Sequence, residues 1–90
     1  MKIEGQEYKS CHISTQNSNI LIIAAKNGFI ACGYFNLEIS NKNNDACAII
    51  TGVKTLDDLL TTEVKMVSNA ARISGVREGM KGKEALLLLS

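Results

Sequence analysis

Apolar and polar positions change their period several times along the 90 residues, and each change marks an element. In "EYKSCHIS" they alternate, with Tyr8, Ser10 and His12 on one face and Lys9, Cys11 and Ile13 on the other, the pattern of a strand. "MKIE" reads as a strand before it, across Gly5-Gln6. After the polar loop "TQNSN", two apolar runs, "ILIIAAK" and "FIACGYF", flank Asn27-Gly28, the strongest short-range hairpin signal. A two-residue turn there pairs Lys26 with Phe29, Ala25 with Ile30, Ala24 with Ala31 and Ile23 with Cys32. Because "ILIIAA" is apolar on both faces, it is expected to be a central strand with helices on at least one side. Cys32 shares its face with Leu21, Ile23, Ala25, Ile30 and Tyr34, so a buried, unreactive thiol is its default reading.

Further on the period lengthens. Asn36 is placed to cap a short helix over "LEISNK", "NND" breaks it, and "ACAIIT" reads as a buried strand. From Leu56 a stripe of Leu59, Leu60, Val64, Val67 and Ala71 recurs at helical spacing and ends at Gly75, with Thr61-Thr62 as a point of division into two helices. Residues Lys83 to Leu89 form a last helix whose consecutive leucines line more than one face, which implies deep burial or an interface.

Composition narrows the classes. A chain of this length is read as a single domain over 1–90, and 46% hydrophobic residues with no proline fit an ordinary folded domain. A net charge of +1 disfavours nucleic acid and anionic membrane as partners. No apolar run approaches the ~20 residues that cross a bilayer, and the first residues are too polar for a signal peptide core, so a cytoplasmic location is expected. Cys11, Cys32 and Cys47 are too widely spaced for a disulfide framework or a zinc site, so free thiols and no metal are expected.

"ITGVKTLDDLL", residues 50–60, is the stretch that most resembles chemistry. It is not a P-loop, because no glycine precedes Gly52 at the needed spacing. Lys54 beside a helix start would draw an anion, yet Asp57 and Asp58 in the first turn oppose one. Thr55 and Asp58 have the spacing of a capping box, which accounts for them without a ligand. Asp45 lies at the far end of the preceding strand, roughly 20 Å from the Gly52 end, and reaches Lys54 only across a subunit boundary. A thiol–imidazole pair of Cys32 with His12, the only histidine, with Tyr34 as orienter or acid, is the nearest nucleophilic arrangement.

Three stretches in order, "CGYFNLEI", "DACAIITGVKTLDDLL" and "GVREGMKGKEAL", resemble the YunC-like domain family of archaeal and bacterial proteins, a family of unknown function. The resemblance runs from about residue 20 to Ser90 and implies a compact α+β domain. Carried over, its pattern picks out Cys32, Gly33 and Tyr34, then Asp45 and Ala46, then Gly52, Val53, Lys54, Thr55, Asp57 and Asp58, and last Gly79, Met80, Gly82 and Glu84. The chain departs from it at Asn44, where glycine is expected, at Cys47, where alanine is, and at Lys81, where a small hydroxyl residue is.

The fold expected is thus a two-layer α+β domain, its mixed and mainly antiparallel sheet of about five strands carrying helices on one face. Apolar area left on the second face implies a homo-oligomer. The function expected is a ligand-binding or assembly module, with Tyr34, Asp45, Gly52, Lys54, Thr55 and Asp58 as binding candidates and a small molecule as the unidentified ligand. The alternative is an enzyme of unknown reaction using Cys32, Lys54 and Asp57 or Asp58, and no motif names a cofactor.

Overall fold

The alternating and apolar segments become strands in the computed structural model, which describes residues 1–90. Strands β1 (Lys2–Ile3) and β2 (Gln6–Glu7) form a small ribbon ahead of β3 (Lys9–Ser14), β4 (Asn19–Ala25) and β5 (Gly28–Ala31). Helix α1 (Leu37–Lys42) leads to β6 (Cys47–Ile49), followed by α2 (Leu56–Thr61), β7 (Met66–Val67), α3 (Asn69–Ile73) and α4 (Gly82–Leu88). The main sheet has the order β3-β4-β5-β6-β7, and only β5 and β6 run parallel. It is the mixed, mainly antiparallel α+β sheet that the sequence implies.

One face of the sheet presents Leu21, Ile23, Ile30, Cys32, Ala48 and Ile50 to Leu59 of α2 and to Ala85, Leu86 and Leu89 at α4. Each fully buried branched side chain in this layer contributes roughly 1.5–3 kcal/mol. On the other face Ala31, Cys47 and Ile49 are closed over by Phe35 and Leu37 at the start of α1, while Ile22 and Phe29 stay half-buried beside them. The sheet's second face is therefore roofed at β5 and β6 and open at β3, all six residues of which are exposed. No helix is long and apolar enough to cross a membrane.

The hairpin forms, but with its pairing shifted. Ala25 faces Gly28, Ala24 faces Phe29 and Ile23 faces Ile30, so the turn is Lys26-Asn27 instead of Asn27-Gly28. Tertiary contacts decide this. The Asn27 N–H donates to the Leu89 carbonyl, and a side chain at Gly28 would lie 2.6 Å from the Ala46 carbonyl oxygen and 2.9 Å from its Cβ. Glycine at 28 thus permits close packing of β5 on the chain entering β6. The shift is an even number of residues, so every side chain keeps its expected face, and Cys32 is buried in the apolar layer.

The long helical stripe also divides. α2 ends at Thr61, and α3 starts after Ser68, whose hydroxyl accepts from the Ala71 N–H. Between them Met66 and Val67 pair with Ile49 and Ala48 as β7. Val64 and Val67 fit helical spacing and strand pairing equally well, and β-branching with an unfilled edge of β6 settles the choice. α3 then ends as expected, with Gly75 at φ +100°.

Candidate functional site

The parallel pair β5–β6 comes apart at its carboxyl end. The Ile50 N–H donates to the Ala31 carbonyl at 2.8 Å, but the next rung, from the Gly33 N–H to the Ile50 carbonyl, is not made. Beyond that point the chain after β5 turns towards α1 and the chain after β6 towards α2. The gap is a cleft of about 420 Å³, lined from β5 by Cys32, Gly33 and Tyr34, from β6 by Thr51, Gly52, Val53 and Lys54, and from the β3–β4 hairpin tip by Asn17, Ser18 and Asn19. In open α/β sheets, ligands bind in the crevice outside the carboxyl ends of neighbouring parallel strands whose chains diverge, and β5–β6, the one parallel pair of this sheet, reproduces that local arrangement.

Four of the residues singled out in the sequence, Cys32, Tyr34, Gly52 and Lys54, meet in this cleft. Tyr34 and Lys54 are exposed, and Gly52 sits at φ +76°, the left-handed conformation that turns the chain towards the corner. Cys32 forms part of the wall from beneath. Its Sγ accepts from the Leu21 N–H at 3.3 Å and its S–H is directed to the Asn19 carbonyl at 3.7 Å. His12 does not reach the thiol; its Nε2 lies 2.8 Å from Asn19 Oδ1.

The corner itself is capped as the Thr55-x-x-Asp58 spacing implies. Thr55 Oγ1 accepts from the Asp58 N–H at 3.1 Å, while Asp58 Oδ2 accepts from the Lys54 and Thr55 N–H groups at 3.0 and 3.2 Å. The Lys54 amide, followed by the two Thr55 contacts and the Lys54 charge, outweighs partial desolvation and holds the Asp58 carboxyl below its ordinary value. Asp58 is thus turned onto the backbone of its own corner. Asp57 is exposed on α2. Neither aspartate lines the cleft.

Asp45 belongs to the opposite end of β6. Its N–H donates to the Ser40 carbonyl, and its carbonyl accepts from the Ser68 hydroxyl, which in turn accepts from the Cys47 N–H. Cys47 is sealed in this region, and burial, opposed by a hydrogen bond from Ser40 and reinforced by Asp45, pushes its thiol up to about 11. All three cysteines are unpaired, and only Cys11 is exposed.

Where the chain departs from the pattern of its resemblance, the backbone explains two of the positions. Asn44 has φ +60°, the conformation that glycine adopts freely and asparagine tolerates best among other residues. Lys81 offers no capping oxygen, and Glu84 compensates in part by accepting from the Lys81 N–H at 3.2 Å. Sequence reasoning missed the hairpin tip, Asn17 to Asn19, because "TQNSN" carries only the signature of a loop.

A family model described as a domain of unknown function, DUF1805, matches residues 31–89. The uncharacterized protein YunC of Bacillus subtilis (strain 168) is 33% identical over 89 residues, covering 94% of this chain and 88% of that protein. The crystal structure of TA1206 from Thermoplasma acidophilum, a protein of unknown function, superposes with a TM-score of 0.93 at 33% identity, covering 100% of this chain and 88% of the other. Sequence and fold agree, and the chain belongs to the DUF1805 family.

Proposed function

We propose that residues 1–90 act as one domain, a cytoplasmic ligand-binding module whose site is the cleft between the ends of β5 and β6. The observation that carries this reading is the parting of the parallel ladder after the Ile50–Ala31 bond, which opens a cleft at the residues marked out by sequence. Its volume of about 420 Å³ suits a small molecule. With a net charge of +1 the chain has no field to gather nucleic acid or an anionic membrane.

The same module is read as a homo-oligomer. β3 is an unpaired edge six residues long, and Ile13, Ile39 and Met66 are exposed around the part of the second face that α1 leaves open. Light scattering at micromolar concentration tests this part, and a monomer removes it.

A second reading, an enzyme, is favoured by one specific observation: Cys32 and Lys54 line the same cleft. Against it stands the absence of a base in contact with Cys32, whose sulfur is engaged by the Leu21 amide and directed to the Asn19 carbonyl. A thermal-shift screen with small metabolites separates the readings from an inert corner. A ligand at 100 times its dissociation constant adds about 2.7 kcal/mol, enough to raise the midpoint of a domain this small by roughly 10 °C or more. The shift is expected to disappear in Lys54→Ala and to survive Asp57→Asn, while loss of a turnover in Cys32→Ser would establish the enzyme.

A further inference from the structure

We infer that the cleft takes a small organic carboxylate, held by the backbone N–H groups of Gly33, Tyr34, Gly52 and Val53 together with the Lys54 ammonium. The inference rests on the cleft being the binding site and names the chemistry it would recognise. Those four amides have no hydrogen-bond acceptor within the protein, although they belong to two loops that lie side by side. Gly33 is the clearest case. Its N–H is the donor of the rung that the parting strands do not make, and its position lies against Thr51, whose Cγ2 would be 3.4 Å from an added Cβ. Backbone amides left over beside a cleft form a positive wall without side-chain charge, the arrangement that binds carboxylate and phosphate oxygens.

The side chains have the matching sign. Lys54 is the only charged residue of the lining, and its ammonium takes part in none of the ion pairs of the protein. No acidic residue lines the cleft, and Asp58, the carboxylate that the Lys54 charge reaches, is bonded to amides of the corner. A single positive side chain among neutral donors matches one negative charge, which favours a carboxylate over a phosphate dianion. Around it, Asn17, Ser18, Thr51 and the Tyr34 hydroxyl offer neutral polar contacts, so the body of the ligand carries hydroxyl or amide groups.

The test uses the whole chain labelled with nitrogen-15, titrated with sodium lactate, glycerate and malate, with lactamide and glycerol as neutral counterparts and sodium phosphate as the other oxyanion, all at constant ionic strength. Expected are saturable downfield shifts of the Gly33, Tyr34, Gly52 and Val53 amides with at least one carboxylate and none with lactamide or glycerol. Lys54→Gln, whose thermal midpoint without ligand confirms folding, is expected to weaken the dissociation constant roughly ten-fold or more. Several results would overturn the inference. If lactamide or glycerol moves the same amides as strongly, the charge assignment fails while the cleft remains a ligand site. Saturation by phosphate alone replaces the carboxylate with the other oxyanion. Carboxylate binding that Lys54→Gln leaves unchanged, or that moves amides elsewhere, places the anion outside the cleft. Silence from every compound overturns the carboxylate, and the thermal-shift screen then separates the two readings: a Lys54-dependent hit of other chemistry keeps the cleft as a ligand site, whereas silence there as well removes it.

Discussion

Strand β6 ends in two different ways. Where it begins, at Asp45 to Cys47, the backbone is tied from three directions: Asp45 N–H to Ser40, Phe29 N–H to the Ala46 carbonyl, and the Ser68 hydroxyl bridging the Asp45 carbonyl and the Cys47 N–H. Gly28 packs flush against Ala46, and Cys47 is fully buried. Where β6 finishes, at Thr51 to Val53, the ladder opens, Gly52 turns in the left-handed region and amides are left beside a cleft. Buried polar groups cost too much to be left unpaired, so the closed end is committed to stability. The open end can leave its donors without protein partners because Gly33, Tyr34 and Gly52 are exposed to solvent, which leaves them free to bind something else. Each end carries a charged residue that looks chemical in the sequence, Asp45 at one and Lys54 at the other, and only Lys54 lines a cleft.

The largest effect is expected at the closed end. Gly28→Ala forces a methyl group onto the Ala46 carbonyl, which is backbone and cannot step aside, and should cost about 3 kcal/mol in urea unfolding. If it costs nothing, the packing at that end is looser than the contact implies. Ser68→Ala removes a hydroxyl that caps α3 and bridges the start of β6, leaving the Cys47 N–H and the Asp45 carbonyl short of a partner. A loss of about 2 kcal/mol is expected from the same measurement. At the open end Gly52→Ala meets no atom within 4 Å, so only the strain of φ +76° remains, about 1 kcal/mol. A penalty as large as that at Gly28 would show the two ends to be equally packed.

The smallest effect concerns acid. Asp58 is held below its ordinary value of 3.8 by the Lys54 and Thr55 contacts, so the folded state binds its proton less readily than the unfolded chain. That contribution is complete above the ordinary carboxylate value and is lost as the pH falls through the lowered one. Asp58→Asn should therefore flatten the acid limb of stability measured between pH 5 and pH 2, by an amount small enough to need comparison against Glu4 and Glu78, whose carboxyls are lowered by Lys83 and Arg72 and act in the same direction. An unchanged acid limb would mean that the capping box is not closed in solution.

Much of this was legible because the signals are local. The Asn36 cap on α1, the Thr55–Asp58 box on α2 and the glycine stop at Gly75 depend on residues within one turn of each other, and each stands where its spacing puts it. The faces of β4 and β5 were legible for the same reason, since side chains alternate whatever the register. The register was not. Moving the turn from Asn27-Gly28 to Lys26-Asn27 required α4, more than 60 positions away in sequence, to offer the Leu89 carbonyl to Asn27. β7 was hidden because Val64, Val67 and Ala71 satisfy a helical stripe, and only the free edge of β6 made Met66 and Val67 a strand.

For the cleft the division is similar. The sequence marked Cys32, Tyr34, Gly52 and Lys54 by residue type, by the corner beside a helix start and by the family resemblance. That they share one cleft, that Asp45 does not, and that the tip at Asn17 to Asn19 completes it depend on which strand ends lie side by side. Local spacing sets caps, faces and turns through contacts made within a few residues. Sheet order, register and the point at which β5 leaves β6 are set by contacts between residues far apart in sequence, and those exist only once the chain has packed.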